Sequence, residues 1–449
     1  MESLKTAATA LLMGLLLGMH LGCASPPVDT PEKRYTATDL LGLRAQDFVW
    51  PAAAQSAERA QLEASRQKVR AILAMPAGPE REAALPTAFG AILLFNIEID
   101  AGLAPLLAAL PNLPNYPAEH QRALLTAAHA LYPEAAAPLL WPLLPNLSSP
   151  REFAIAAYTL LKADPGAASV LRKILAQQFA DGHTEPRLLA LQHRLGELQQ
   201  GKATEPALGE LLATPLRPGL PVVFSLQRPG REAMGLALIR AADGRFVRDA
   251  SGQVLSLPHL ALARSGLPGT LTYGNTPRGL FTIIGAGTAD NRWIGPTPYL
   301  HSKLPVEASV AEFLHTPEQG LSWSQQRYEA LLPPTWRAHL LEAWWAGLAG
   351  RSEILMHGST INPAYYQGAN YYPGTPSAGC LVASEQWSAT EGRLLASDQL
   401  ALLQTFAADG QVRGYLIVAE IAEQTGATGT AVQLSEVLAA LTAIEAGKP

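Results

Sequence analysis

Ser377-Ala378-Gly379-Cys380-Leu381 is the stretch around which the chain is organised, together with Met356-His357-Gly358 upstream of it. A glycine precedes the cysteine, an apolar residue follows it, and a histidine stands 23 residues earlier, at 357 against 380. A thiol and an imidazole so placed could meet in one fold as a nucleophile and its base. A free thiol has a pKa of about 8.5, so only a few per cent is thiolate at neutral pH. A neighbouring imidazole removes that limit by taking the proton, and later returns one to a leaving amine, a service worth roughly 10²–10⁴ in rate. Gly379, lacking a Cβ, would let a substrate carbonyl approach the backbone, so that amides around Cys380 receive the developing oxyanion. The alternative is that Cys380 is a buried, inert cysteine, a common fate for this residue type.

His357-Gly358, followed by a loop and then Ser377-x-Gly379-Cys380-Leu381, resembles the signature of the L,D-transpeptidase catalytic domain family. That signature runs His-Gly, a variable loop, then Ser/Thr-His-Gly-Cys and an apolar residue. Upstream, Gly274-Asn275-Thr276-Pro277-Arg278-Gly279-Leu280-Phe281-Thr282-Ile283 resembles the family's Thr-Pro-x-Gly-x-Phe/Tyr-x-Ile string. The resemblance covers roughly the second half of the chain. It implies a mainly β catalytic domain that acts on peptidoglycan stem peptides without cofactor or metal. It further implies that Cys380 attacks the diaminopimelate carbonyl of a stem tetrapeptide, expelling D-alanine and leaving a thioester, while His357 acts as general base and then acid. The Gly358 carbonyl would orient the imidazole, Ser377 would shape the turn, and the Gly379 and Cys380 amides would form the oxyanion hole. An amine from a second stem would resolve the thioester into a cross-link. Water would make the protein an L,D-carboxypeptidase, and a lipoprotein lysine or a free D-amino acid would give other products.

Two positions depart from the family pattern. Ala378 stands where a second histidine is usual, and Val382 where arginine or asparagine is common. If the latter side chain holds a substrate carboxylate or orders the loop, Arg278 and Arg292 are the candidates to replace it, with surface solvation as their default role. The loop between His357 and Cys380 carries Tyr365, Tyr366, Tyr371 and Tyr372, which could form a lid or a glycan-contacting wall or simply pack the loop down. Two competing readings are a peptidase acting on existing cross-links and a degenerate catalytic fold attached to a binding scaffold.

The start of the chain reads as an export signal. Lys5 supplies a weakly positive start, Ala7 to Met19 form a short apolar core, and Leu21-Gly22-Cys23 ends it. By resemblance to the lipobox, Cys23 reads as the lipidated N-terminus of a bacterial lipoprotein; His20 stands where leucine is usual, which leaves a plain secretory signal or an uncleaved anchor as alternatives. Residues 1–23 are then signal and 24–34 a tether. No aspartate follows Cys23, so the expected location is the cell envelope, facing the periplasm and anchored in the outer membrane. The chain has 2 cysteines. With Cys23 carrying lipid, Cys380 would be a lone thiol in an oxidising compartment, which is easier to understand in a nucleophile.

Composition bounds the rest. The 449 residues are 48% hydrophobic and 16% charged, enough for sizeable cores in two or three domains, and the net charge of −5 gives no reason to expect nucleic acid. The fold class expected is a multidomain α + β chain. An all-α domain of helical hairpins over residues 35–200, HEAT- or TPR-like or an irregular bundle, precedes a mainly β L,D-transpeptidase-like domain over 205–422. The helical part rests on apolar spacing such as Leu62, Val69, Ile72 and Leu73, and on an echo of Pro111-Asn112-Leu113 in Pro145-Asn146-Leu147, 34 residues on. It is a candidate surface for envelope protein partners. Its His120, His129, His183 and His193 lack metal-ligand spacing. In the second half, 222–226 and 235–239 read as strands, 271–284 as a further strand, about 324–348 as a helical insertion, and 412–421 as the strand that closes the sheet. An amphipathic helix within 430–449 ends the chain.

Overall fold

The computed structural model describes residues 34–50, 52–180, 184–200, 206–288, 294–359, 362–423 and 429–447. The signal, the tether up to residue 33, Cys23, His183 and Arg292 lie outside the described residues.

The fold is mixed α and β. Its strands are β1 Arg34–Tyr35, β2 Val222–Gln227, β3 Gly235–Arg240, β4 Ser256–Leu260, β5 Gly279–Gly287, β6 Tyr299–Lys303, β7 Ile354–Gly358, β8 Leu381–Ala383, β9 Glu385–Trp387, β10 Leu394–Ser397 and β11 Gly414–Glu420. Eight of them close into a barrel in the order β5-β11-β2-β3-β4-β8-β7-β6, with β6 pairing back onto β5. β1 adds to the β5 edge, and β9 and β10 form a separate hairpin. Closure leaves no long unpaired edge. β2 and β11 pair in parallel, Val222 opposite Tyr415. Their near-continuous apolar runs, Val-Val-Phe and Tyr-Leu-Ile-Val-Ala, suit strands covered on both faces, and both strands are buried almost throughout.

The described residues between 37 and 200 form α1 Ala37–Gly42, α2 Ala52–Leu73, α3 Pro79–Phe95, α4 Ile99–Ala109, α5 Ala118–Leu131, α6 Pro133–Leu143, α7 Pro150–Ala163, α8 Ala168–Gln178 and α9 Pro186–Gln200. Pro79, Pro133, Pro150 and Pro186 open helices, where the missing N–H has no helical partner to lose. The echo in the sequence has a structural counterpart. α4 and α6, each of 11 residues, both run into a 3₁₀ turn that begins Leu-Pro-Asn, at Leu110 and Leu144.

Two expectations need correction. Residues 271–278 are not strand; they form turns and coil, and β5 begins only at Gly279, because their backbone groups pair with the neighbouring loop. The strand within 412–421, β11, does not close the sheet but lies inside it between β5 and β2, closure coming from β6 on β5. The segment 324–348 is helical, in three short helices, Gln325–Glu329, Arg337–Leu340 and Glu342–Leu348, broken at Pro333-Pro334. The C-terminal helix Leu434–Glu445 buries Val437 and Leu441 against the barrel core, and Arg228 holds Glu436 at 2.6 Å.

The two halves meet at several places, one of which lies beside the cysteine turn. Leu267 and Leu271, from the β4–β5 connection, are buried in the core of the helical half rather than in that of the barrel. His129 of α5 reaches the same connection, its Nε2 lying 3.3 Å from the Gly266 carbonyl.

Candidate active site

β7 and β8 run parallel with Met356 opposite Leu381 and His357 opposite Val382, which places Cys380, one residue ahead of β8, beside Leu355. The Leu355 N–H points at Cys380 Sγ from 3.5 Å. Alternate residues of a strand share a face. Ile354 and Met356 turn into the barrel core, whereas Leu355 and Cys380 join a small cluster with Ile294 and Tyr299 outside it. His357 therefore projects on the Cys380 face, two residues along. At about 3.3 Å per residue and about 4.8 Å between strands, the two Cβ atoms are roughly 8 Å apart. Cys380 Sγ lies against the Leu355 N–H and, at 3.7 Å, the Glu353 carbonyl, toward the start of β7 and away from His357. The structure thus places the imidazole and the sulfur on one face without bringing them into contact.

The His357 ring is held in one protonation state. Its Nδ1 lies 2.7 Å from the Gly358 carbonyl oxygen. A carbonyl only accepts, so Nδ1 carries the hydrogen and Nε2 keeps its lone pair. That Nε2 is buried and has no described hydrogen-bond partner. Burial pushes the imidazole from its ordinary value down to about 4, against the opposing effect of the Gly358 hydrogen bond. At neutral pH the group is thus a neutral base with an unused acceptor. Behind it, Gly358 leaves room for Glu385: a Cβ there would sit 2.2 Å from the Glu385 carboxyl carbon. Burial raises Glu385 to about 7, and Ser397 Oγ donates to it at 2.7 Å.

The turn before the cysteine is cross-braced. Ser377 Oγ accepts the Gly379 N–H at 2.9 Å and donates to the Cys380 carbonyl at 2.8 Å. Thr276 Oγ1 donates to the Gly379 carbonyl at 2.9 Å, so the threonine of the Thr-Pro-Arg-Gly string holds the cysteine turn directly. The Ser377 N–H donates to the Leu262 carbonyl, and the Arg264 N–H to the Ser377 carbonyl. This bracing corrects the role expected of Gly379. Its amide is committed to Ser377 and does not point into open space for an oxyanion. The glycine is required for another reason. Its φ is +128°, and a Cβ would lie 2.2 Å from Arg351 Nη2.

Arg351 is the residue that sequence reasoning missed. It is 8% exposed, and its Nη1 donates to the carbonyls of Gly269 and Leu271, both at 2.7 Å. With Thr272, Tyr273, Glu353, Gly379 and Cys380 it lines a cleft of about 190 Å³. An arginine in a polar turn just ahead of β7 carries no sequence signal that separates it from a solvated one.

Other expected site residues lie elsewhere. Arg278 does not line the cleft. It is held by Glu342 at 3.3 Å and Glu420 at 3.8 Å, and those carboxylates raise its pKa although burial opposes them. Tyr365, Tyr366 and Tyr371 form no wall to the cleft either. Tyr365 Oη donates to Glu58 at 2.7 Å and stacks edge-on against Phe95, while Tyr366 Oη donates to the Leu94 carbonyl at 3.0 Å. Tyr371 packs with Met234, Leu260 and Leu262. The loop is pinned to the helical half, because Phe95 and Leu94 offer an apolar floor with polar partners at its edge. Only Tyr372 is largely exposed, at 41%, and it does not line the cleft.

The state of the sulfur also differs from expectation. Cys380 is disulfide-bonded rather than a lone thiol, and 1% exposed. The only other cysteine in the sequence is Cys23, outside the described residues. Among the described residues no group of three or more His, Cys, Asp or Glu could hold a metal ion. No family model matches this sequence, and no curated protein or solved structure matches it either.

Proposed function

We propose that this protein is a cysteine acyltransferase of the L,D-transpeptidase type, acting on peptidoglycan stem tetrapeptides. The observation that carries the reading is the buried, neutral His357, with Nδ1–H fixed on the Gly358 carbonyl and Nε2 unused on the Cys380 face of the β7–β8 pair. The substrate class rests on the motif resemblance. In the reduced protein, Nε2 takes the Cys380 proton as sulfur attacks the carbonyl before the terminal D-alanine. The C–N bond breaks, the same proton passes to the leaving amine, and a thioester remains. An amine of a second stem, or water, then attacks the thioester and restores the thiol. The Gly358 carbonyl plays the orienting part that a carboxylate plays in serine triads.

The mechanism needs Cys380 reduced. Lipidation of Cys23 would consume the only other thiol of the chain, which couples the envelope location to the active state. The disulfide favours a second reading, in which the sulfur is structural and the barrel is a degenerate binding module. Incubating the reduced protein lacking residues before Ser25 with purified disaccharide-tetrapeptide separates the two. A cross-linked dimer lacking one D-alanine indicates transpeptidation and a tripeptide alone carboxypeptidation. Behaviour identical to Cys380→Ala would remove the enzyme reading.

A further inference from the structure

Arg351 is a cation in an unusual position. Its guanidinium is more than nine-tenths buried, yet no described carboxylate forms an ion pair with it. Glu342 and Glu307 act on it only through space, and burial is the larger influence, pulling its pKa down to about 10. It is therefore charged at neutral pH. Buried charges are ordinarily paired, because an isolated one loses several kcal/mol of hydration. Two carbonyls satisfy Nη1. Nη2 has no described partner and sits against Gly379, at the wall of the cleft that ends on Cys380. The acidic residue of that cleft, Glu353, keeps its side chain exposed at the rim. The cleft thus presents an uncompensated planar cation one residue from the sulfur.

We infer that Arg351 is the anion anchor of the cleft and receives a free carboxylate of the acyl donor, placing the adjacent carbonyl against Cys380. This rests on the acyltransferase reading for the identity of the donor, but not for the anion site itself. A guanidinium fork matches a carboxylate in a way that an ammonium does not. The carboxylate has two possible sources on a stem peptide, the terminal residue that leaves and the side chain of the residue attacked.

The anion site is tested without any peptide. In the reduced protein, Cys380 sulfur displaces iodide from iodoacetate or from iodoacetamide, forming a C–S bond as the C–I bond breaks. Both reagents need the same thiolate, so the ratio of their rates reports the reagent's carboxylate alone. Relative to a cysteine peptide in the same buffer, the ratio should favour iodoacetate by roughly tenfold or more. The preference should shrink several-fold in Arg351→Lys and vanish in Arg351→Gln. A wild-type ratio equal to that of the peptide overturns the inference whether or not the variants fold, as does a preference that survives in Arg351→Gln.

A second experiment finds the source. Wild-type protein is given tetrapeptide amidated at its C-terminus, or amidated on the side-chain carboxyl of its third residue, and acyl-enzyme is followed by mass. A loss of tenfold or more with the first assigns the leaving residue, and with the second the side chain. Unimpaired acylation by both overturns the anchor role. If no donor acylates Cys380 while the iodoacetate preference holds and depends on Arg351, the anion site stands and the acyltransferase reading falls.

Discussion

The helical half and the barrel each bury a histidine, and the two are differently employed. His129 of α5 has a partner on each ring nitrogen, the Gly266 carbonyl at 3.3 Å and Thr159 Oγ1 at 3.3 Å. His357 of β7 has one partner, and its second nitrogen is left with none described. Burial holds both well below the ordinary value, to about 3 and about 4. A depressed pKa therefore does not separate structure from chemistry. What separates them is unused hydrogen-bonding capacity on a face that also carries the Cys380 sulfur, the pairing on which the proposed chemistry rests. The barrel supplies a second comparison in His259, whose Nε2 also lacks a described partner. Its Nδ1 lies 3.0 Å from Ser225 Oγ, and it sits on β4 opposite Ala383, alternating with Leu257, a residue of the barrel core, and near enough to His357 to feel its charge.

The largest effect that would sharpen this comparison is at the sulfur. Cys380→Ala, assayed under reducing conditions against the reduced wild type, should lose all turnover while its melting temperature stays within a few degrees. Residual turnover would move the chemistry elsewhere. His357→Gln should come next, with kcat down roughly 10²–10⁴-fold and KM little changed. In the helical half the pattern should invert. His129→Ala should cost about 1–3 kcal/mol in denaturant unfolding, since it strips partners from buried groups, and should alter kcat by less than tenfold. If His129→Ala instead slows turnover as much as His357→Gln, the division between the halves is broken.

Acid should read the same division. An unfolded histidine takes up its proton near pH 6.5, whereas folded His129 does so only near pH 3. Its contribution is complete above pH 6.5 and is lost as pH falls below that, reaching about 2 kcal/mol at pH 5. His357 and His259 act in the same sense. Glu385 and Asp398, raised by burial to about 7 and about 6, oppose it, since the folded state holds their protons more tightly. Unfolding at pH 7 and pH 5 should therefore show a smaller acid loss in His129→Gln than in wild type, by about 2 kcal/mol. The smallest effect is at the seam. Tyr365→Phe removes the hydroxyl bonded to Glu58 and should cost about 1 kcal/mol with KM unchanged. A large rise in KM would return the tyrosines to the substrate.

Much of the architecture was legible because it is written in local pattern. Apolar runs within 222–226, 235–239 and 412–421 marked strands, and three- and four-residue apolar spacing marked the helices. His357 and Cys380 were singled out because their residue types suit a base and a nucleophile, and Gly358 and Ser377 because of the motif resemblance. Barrel closure through β6 and β5 was not legible, since strand pairing across the chain leaves no local trace. The tyrosine-rich loop was misread for the same reason: nothing near Tyr365 in sequence announces Glu58 or Phe95.

The sequence by itself determined the kinds of element and the pair of groups, an imidazole and a sulfur, on which the reading turns. Only the tertiary structure decided what surrounds them. Thr276 reaches Gly379 across 103 residues, Arg351 reaches Gly269 across 82, and the helical half buries Leu267 and Leu271 of the loop beside them. Backbone conformation is set by neighbours in the chain, whereas burial, charge compensation and an unused lone pair depend on groups brought together from far apart in it.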